Sequence, residues 1–152
     1  MISVETPIDE RVMLLKKLRE TLLRQRDKFR NYLNLLEKEE AAIIDDDMEK
    51  LEQHIQLEQS IIQEIYSIQR VINPLEDMYR VAFPEKEATI PELKISLEKL
   101  KGMITGRNLK NRNLLKERME NLRLQIKNLP RAFTAVSPYA NIGVPSMVDI
   151  SS

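Results

Sequence analysis

A chain of 152 residues is long enough for one domain with a real core. Hydrophobic residues make up 42% and charged residues 32%, with only three glycines, a balance that points to long helices rather than sheet or disorder. No cysteine is present, which excludes disulfides and thiolate metal sites and fits a reducing compartment; the 24 basic and 24 acidic groups cancel.

The charges are nonetheless segregated. Residues 11–31 carry eight basic groups against Glu20 and Asp27, residues 37–58 nine acidic against Lys38 and Lys50, and residues 101–131 nine basic against Glu117 and Glu120. Complementary faces within one bundle account for this pattern. A nucleic-acid or membrane surface is the weaker account, because no aromatic is interleaved with the basic residues of the third segment.

The first predicted element is a helix near 8–44. Thr6 supplies a hydroxyl N-cap, Pro7 suits the first helical position, and Asp9 and Glu10 favour the positive end of the helix dipole. Its heptad slots read Leu15, Leu18, Leu22, Gln25, Phe29, Tyr32, Leu36, Glu39 and Ile43, widened into a bundle face by Leu14 and Leu33. Asp45, Asp46 and Asp47 then break the pattern, and one of them caps a second helix near 46–79. That stripe reads Met48, Leu51, Ile55, Glu58, Ile62, Ile65, Gln69 and Ile72, and Asn73-Pro74 predicts a kink followed by about one more turn.

A connection at 80–90 leads to a third helix near 91–129. Its stripe reads Leu93, Leu97, Leu100 and Ile104, turns polar at Asn108 and Asn111, and resumes at Leu115, Met119, Leu122, Ile126 and Leu129. Gly102 and Gly106 just ahead of the asparagines either permit a bend or admit a close neighbour, at about 1 kcal/mol each relative to alanine. Two accounts of the asparagines stay open. One is a buried amide layer that fixes register; the other is a weak point where the helix opens and offers Leu114, Leu115 and the residues beyond to a partner.

The expected architecture is all-α: an elongated antiparallel bundle of three long helices over residues 1–129, with an irregular tail at 130–152. The tail has three prolines and no helical period, yet it carries Phe133, Tyr139, Ile142, Val144, Met147, Val148 and Ile150, more apolar residues than an inert terminus needs. Neither a secretory h-region nor an apolar run of spanning length is found, so a cytoplasmic protein without an integral membrane segment is expected.

Chemistry is sparse. His54 is the single histidine, and position 51 is Leu, so not even one Glu-x-x-His metal pair exists. The aspartate triplet lacks the glycine and spacing of a calcium loop, and no glycine-rich phosphate loop is present. The expectation is a protein that is not an enzyme, uses no cofactor or metal, and acts by packing helices.

Asn108-x-x-Asn111-x-x-Leu114-Leu115 within a long C-terminal helix resembles the signature of the FlgN-type flagellar export chaperones. The order around it is similar too: a leucine-rich first helix, an acidic turn, a second helix, a proline-containing connection, and an apolar tail ending Val148-Asp149-Ile150-Ser151. The resemblance implies a small cytoplasmic helical chaperone. It would bind the C-terminal helical region of hook–filament junction proteins, keep them unpolymerised, and hand them to the flagellar type III export gate. By motif it assigns cargo contact to Asn108, Asn111, Leu114 and Leu115, continued along the same face by Met119, Leu122, Ile126 and Leu129. Tyr139 is the implied contact to the gate. A structural coiled-coil scaffold or adaptor is the alternative, no nucleic-acid partner is expected, and a homodimer stays open.

Overall fold

The computed structural model describes residues 8–84 and 89–129. They form three helices, α1 (Ile8–Ile44), α2 (Met48–Ala82) and α3 (Thr89–Lys127), with no strand among the described residues. The predicted all-α bundle of three long helices is the observed one. The predicted Thr6 cap and Pro7 lie outside the described residues, as does the tail at 130–152.

Contacts between helices set their register. Gln25 faces Gln69 and Tyr32 faces Glu58, so α1 and α2 run antiparallel. Tyr32 faces Asn108, Leu36 faces Asn111 and Ile44 faces Arg118, so α3 runs parallel to α1. α1 is the central element: α2 and α3 both pack along it and approach each other far less. Its buried face is the heptad stripe read from the sequence, including the polar Gln25 and Glu39.

The turn between α1 and α2 consumes all three aspartates. Asp46 takes a left-handed backbone with φ 54, which aspartate tolerates better than most residues. Asp47 is the N-cap, its side chain accepting from the Lys50 backbone N–H at 3.1 Å. The second helix therefore begins at Met48 rather than 46.

The end of α2 differs from the sequence expectation for a tertiary reason. α2 stays helical through Asn73-Pro74 and runs to Ala82 rather than 79. Pro74 forfeits one backbone hydrogen bond, but Ile72 and Leu75 on either side are buried in the main core and hold the segment. Asn73 also accepts a hydrogen bond from the Gln69 side chain at 2.7 Å. The helix stops where the Phe83 N–H closes on the Tyr79 carbonyl; the Phe83 ring stacks on Tyr79 and lies under the Arg11 guanidinium. α3 begins at Thr89, two residues before the predicted start, with Pro91 in its first turn, and its helical bonding ends at Lys127.

Gly102 and Gly106 interrupt nothing. α3 is continuous through both, and a methyl group added at either meets no atom within 4 Å. Neither glycine serves a close approach within this fold. Gly102→Ala and Gly106→Ala are each expected to raise stability by about 1 kcal/mol, measured by denaturant unfolding.

Candidate functional site

The core is divided. A large apolar cluster runs from Leu18 to Leu36 on α1, Ile62 to Leu75 on α2 and Ile90 to Ile104 on α3. A small one at the hairpin end contains Ala42, Ile43, Leu51 and Leu115, with Ile55 and Leu114 against it. Between them every helix contributes a polar residue: Glu39 from α1, Glu58 from α2, Asn108 and Asn111 from α3, all buried.

This layer is bonded from one side only. The Tyr32 hydroxyl donates to Glu58 Oε1 at 2.6 Å, and Asn108 Nδ2 donates to the Tyr32 oxygen at 3.2 Å. Asn111 Nδ2 donates to the Leu36 carbonyl at 2.8 Å. The acceptor oxygens of Asn108 and Asn111 have no donor, nor does either carboxyl oxygen of Glu39. As a carboxylate, Glu39 would be a fully buried charge without a hydrogen bond. Protonated, it donates to Glu58. Burial first, then the hydrogen bond to Glu58 and the charge there, push the Glu39 carboxyl up to about 9. The Tyr32 hydroxyl is pushed well above its ordinary range, again chiefly by burial, so it remains a donor.

The rim of the same seam is charge-complementary. Arg107 meets Glu40 at 2.8 Å and Glu37 at 3.7 Å, and Lys110 meets Glu40 at 2.9 Å. The Lys110 hydrogen bond, aided by Arg107, holds the Glu40 carboxyl below its ordinary range. α1 has no basic residue in its last turn. α3 supplies one: Arg118 donates to the Ile44 carbonyl at 3.0 Å and faces Asp46 at 3.5 Å, satisfying the negative end of a neighbouring helix. The basic third segment thus pairs with the acidic hairpin, as the sequence suggests. The basic segment of α1 does not share in this. Among the described residues Lys28 pairs with Glu64 and Arg11 covers Phe83, while the remaining six cations between 11 and 31 form no ion pair.

Arg118 also marks where α3 outruns its neighbours. The register that sets Ile44 against Arg118 places later residues level with the 45–47 turn and beyond it, where neither α1 nor α2 continues. The helix goes on to Lys127, about 14 Å at 1.5 Å per residue. The face that further back carries Ile104 and Leu115 continues there as Met119, Leu122 and Ile126, all half-buried, and then Leu129, which is exposed.

The eight residues assigned to cargo contact therefore fall into two groups. Asn108, Asn111 and Leu115 are buried against α1, with Leu114 half-buried beside the small cluster. Met119, Leu122, Ile126 and Leu129 stand on the overhang. Tyr139 lies outside the described residues. The other members of the layer, Tyr32, Glu39 and Glu58, were not among the sequence-derived site residues, although Glu39 and Glu58 announce themselves as acids in core slots of the heptad pattern.

Elsewhere, a cleft of about 300 Å³ opens between α2 and α3, floored by Leu22 and Phe29 and rimmed by Tyr66, Glu76, Lys94 and Glu98. His54 is half-buried on α2, with no hydrogen-bond partner at its buried Nδ1. No cluster of three or more metal-ligating residues occurs among the described residues, and none of their helices is long and apolar enough to cross a membrane.

Comparison with known proteins adds one relative. The chain is 28% identical over 145 residues to an uncharacterized protein of Treponema pallidum (strain Nichols), a match covering 95% of this chain and 93% of that protein. No family model matches, and no solved structure matches.

Proposed function

We propose that this chain is a flagellar type III export chaperone. It binds the C-terminal helical region of hook–filament junction proteins in the cytoplasm, keeps them unpolymerised, and delivers them to the export gate. The observation that carries the reading is the overhang of α3. A helix whose core-type face continues past the end of its own bundle presents what an amphipathic partner helix needs: apolar anchors at i, i+3 and i+4 spacing on a rigid support. Met119, Leu122, Ile126 and Leu129 supply those anchors, flanked by Lys116, Arg123 and Lys127. The asparagine–leucine signature sits immediately before this face. Its asparagines fix the register of α3 on α1, and so fix where the overhang begins. The gate contact rests on the family resemblance and on Tyr139.

Calorimetric titration of the purified chain with the C-terminal helical region of a hook–filament junction protein tests this. A saturable one-to-one complex whose affinity changes little between 50 and 500 mM salt is expected, because apolar docking lacks the steep salt dependence of phosphate binding. A scaffold would self-associate and leave the junction protein unbound. That result would overturn the reading.

A further inference from the structure

The buried layer under the asparagines is an unusual way to fasten a helix. Along its first half α3 is held to α1 by apolar packing, with Ile90, Leu97 and Ile104 all in the main cluster. Beyond Ile104 only Leu115 is a fully buried apolar residue of α3, and the cluster it joins is small. What remains is Asn108, Asn111, the rim ion pairs, and two fully buried acids of the same layer, Glu39 on α1 and Glu58 on α2. Two carboxylates in hydrogen-bonding reach within a low-dielectric core cannot both carry charge. Closing α3 over them removes the solvent that would stabilise the second charge.

We propose that the distal half of α3 is a proton-linked latch: the seam closes around one proton, held by Glu39 against Glu58, and lifting α3 from Ile104 onward releases that proton to water. Opening joins Leu114 and Leu115 to the face of Met119, Leu122, Ile126 and Leu129, so the latch sets the length of apolar helix that α3 can offer. The device belongs to the free chain and does not depend on what partner it binds.

The groups facing Glu39 bear this out as a one-proton event. On α1 its neighbour is Tyr32, whose hydroxyl stays protonated. On α2 it is Glu58, with the half-buried His54 one turn earlier along the helix. From α3 come the neutral Asn108 and Asn111, with Arg107 and Lys110 at the rim engaged by Glu37 and Glu40. Glu39 is fully buried, at the level where its neighbours Leu36 and Glu40 meet α3, and neither of its oxygens has a donor. Opening breaks the Asn108 and Asn111 hydrogen bonds and the rim ion pairs, and the water it admits stabilises the charged form of Glu39, whose proton passes to that water.

Amide hydrogen exchange of the full chain between pH 5 and 9, corrected for the intrinsic rate at each pH, reads the opening directly. Protection of amides 105–118 on α3 is expected to lie below that of amides 58–68 on α2 at every pH, and to fall with pH by up to tenfold per unit. Glu39→Gln should abolish the slope in α3 and leave protection at pH 8 well above that of the wild type. His54→Gln should keep the wild-type slope above pH 7. A flat wild-type profile overturns the proposal, and that arm needs no variant. So does α3 protection equal to that of α2 at every pH, which would mean that α3 opens only with the whole fold. A slope that survives Glu39→Gln, or disappears in His54→Gln, overturns it as well. Calorimetric binding of a junction protein is a separate readout, so failure here and failure of the chaperone reading are distinguishable.

Discussion

Glu39→Gln is expected to stabilise the protein, by on the order of 5 kcal/mol at pH 8 and by little near pH 4. Glu39 is fully buried and keeps its proton in the fold up to about 9, whereas in the unfolded chain it ionises at its ordinary value of 4.5. A group with a raised folded-state value contributes fully below the unfolded value, and its contribution is lost as pH rises toward the folded one. Each unit between 4.5 and the working pH is worth about 1.4 kcal/mol. Glutamine removes that linkage and keeps an N–H donor in the layer without a titrating group. Glu40 works the other way. Its depressed value means that its contribution is present above the ordinary carboxylate range and lost as pH falls below it. Denaturant unfolding of wild type and Glu39→Gln across pH 4–8 checks the prediction; a constant difference between the two curves would contradict it.

Tyr32→Phe should cost about 2–4 kcal/mol, a large effect for the loss of one oxygen. The Tyr32 hydroxyl is the hinge of the polar layer, donating to Glu58 and accepting from Asn108. Phenylalanine fills the same space but leaves the Asn108 amide without its acceptor and takes the Tyr32 donor from Glu58, and a buried group stripped of a partner carries its desolvation penalty. Removing the hydroxyl of half-exposed Tyr66 on α2, as Tyr66→Phe, should change stability by less than about 0.5 kcal/mol. Combining Tyr32→Phe with Glu58→Gln should cost less than the sum of the two single changes, since both act on one hydrogen bond. Equal small effects at Tyr32 and Tyr66 would mean that the layer is wet and contributes nothing.

The three helices were legible because their apolar residues recur at helical spacing over more than thirty residues each, and the buried residues of α1 follow the stripe from Leu18 to Ile43 almost without exception. The extension of α2 to Ala82, past the one turn expected after Pro74, was not legible, because the burial of Ile72 and Leu75 that holds the segment is tertiary. Half of the polar layer was legible. Asn108 and Asn111 stood out because amides break an apolar stripe, and Glu39 and Glu58 occupied core slots in plain sight. What the sequence does not contain is the register that sets all four at one level. That depends on the length of the 45–47 turn and on α3 running parallel to α1. The same register separates Leu115, which is core, from Leu122 and Ile126, which are not; spacing alone places all three on one face.

That separation provides the most direct test of the proposed function. Leu122 and Ile126 belong to neither apolar cluster. Leu122→Asp combined with Ile126→Asp should leave thermal unfolding of the bundle essentially unchanged, while a carboxylate at Leu115 would unfold the small cluster and obscure the result. Titrated with the C-terminal helical region of a hook–filament junction protein, the double variant should bind at least about 100-fold more weakly than the wild type, since two apolar anchors are lost and two charges would have to be desolvated. A folded double variant that binds with wild-type affinity would contradict the account.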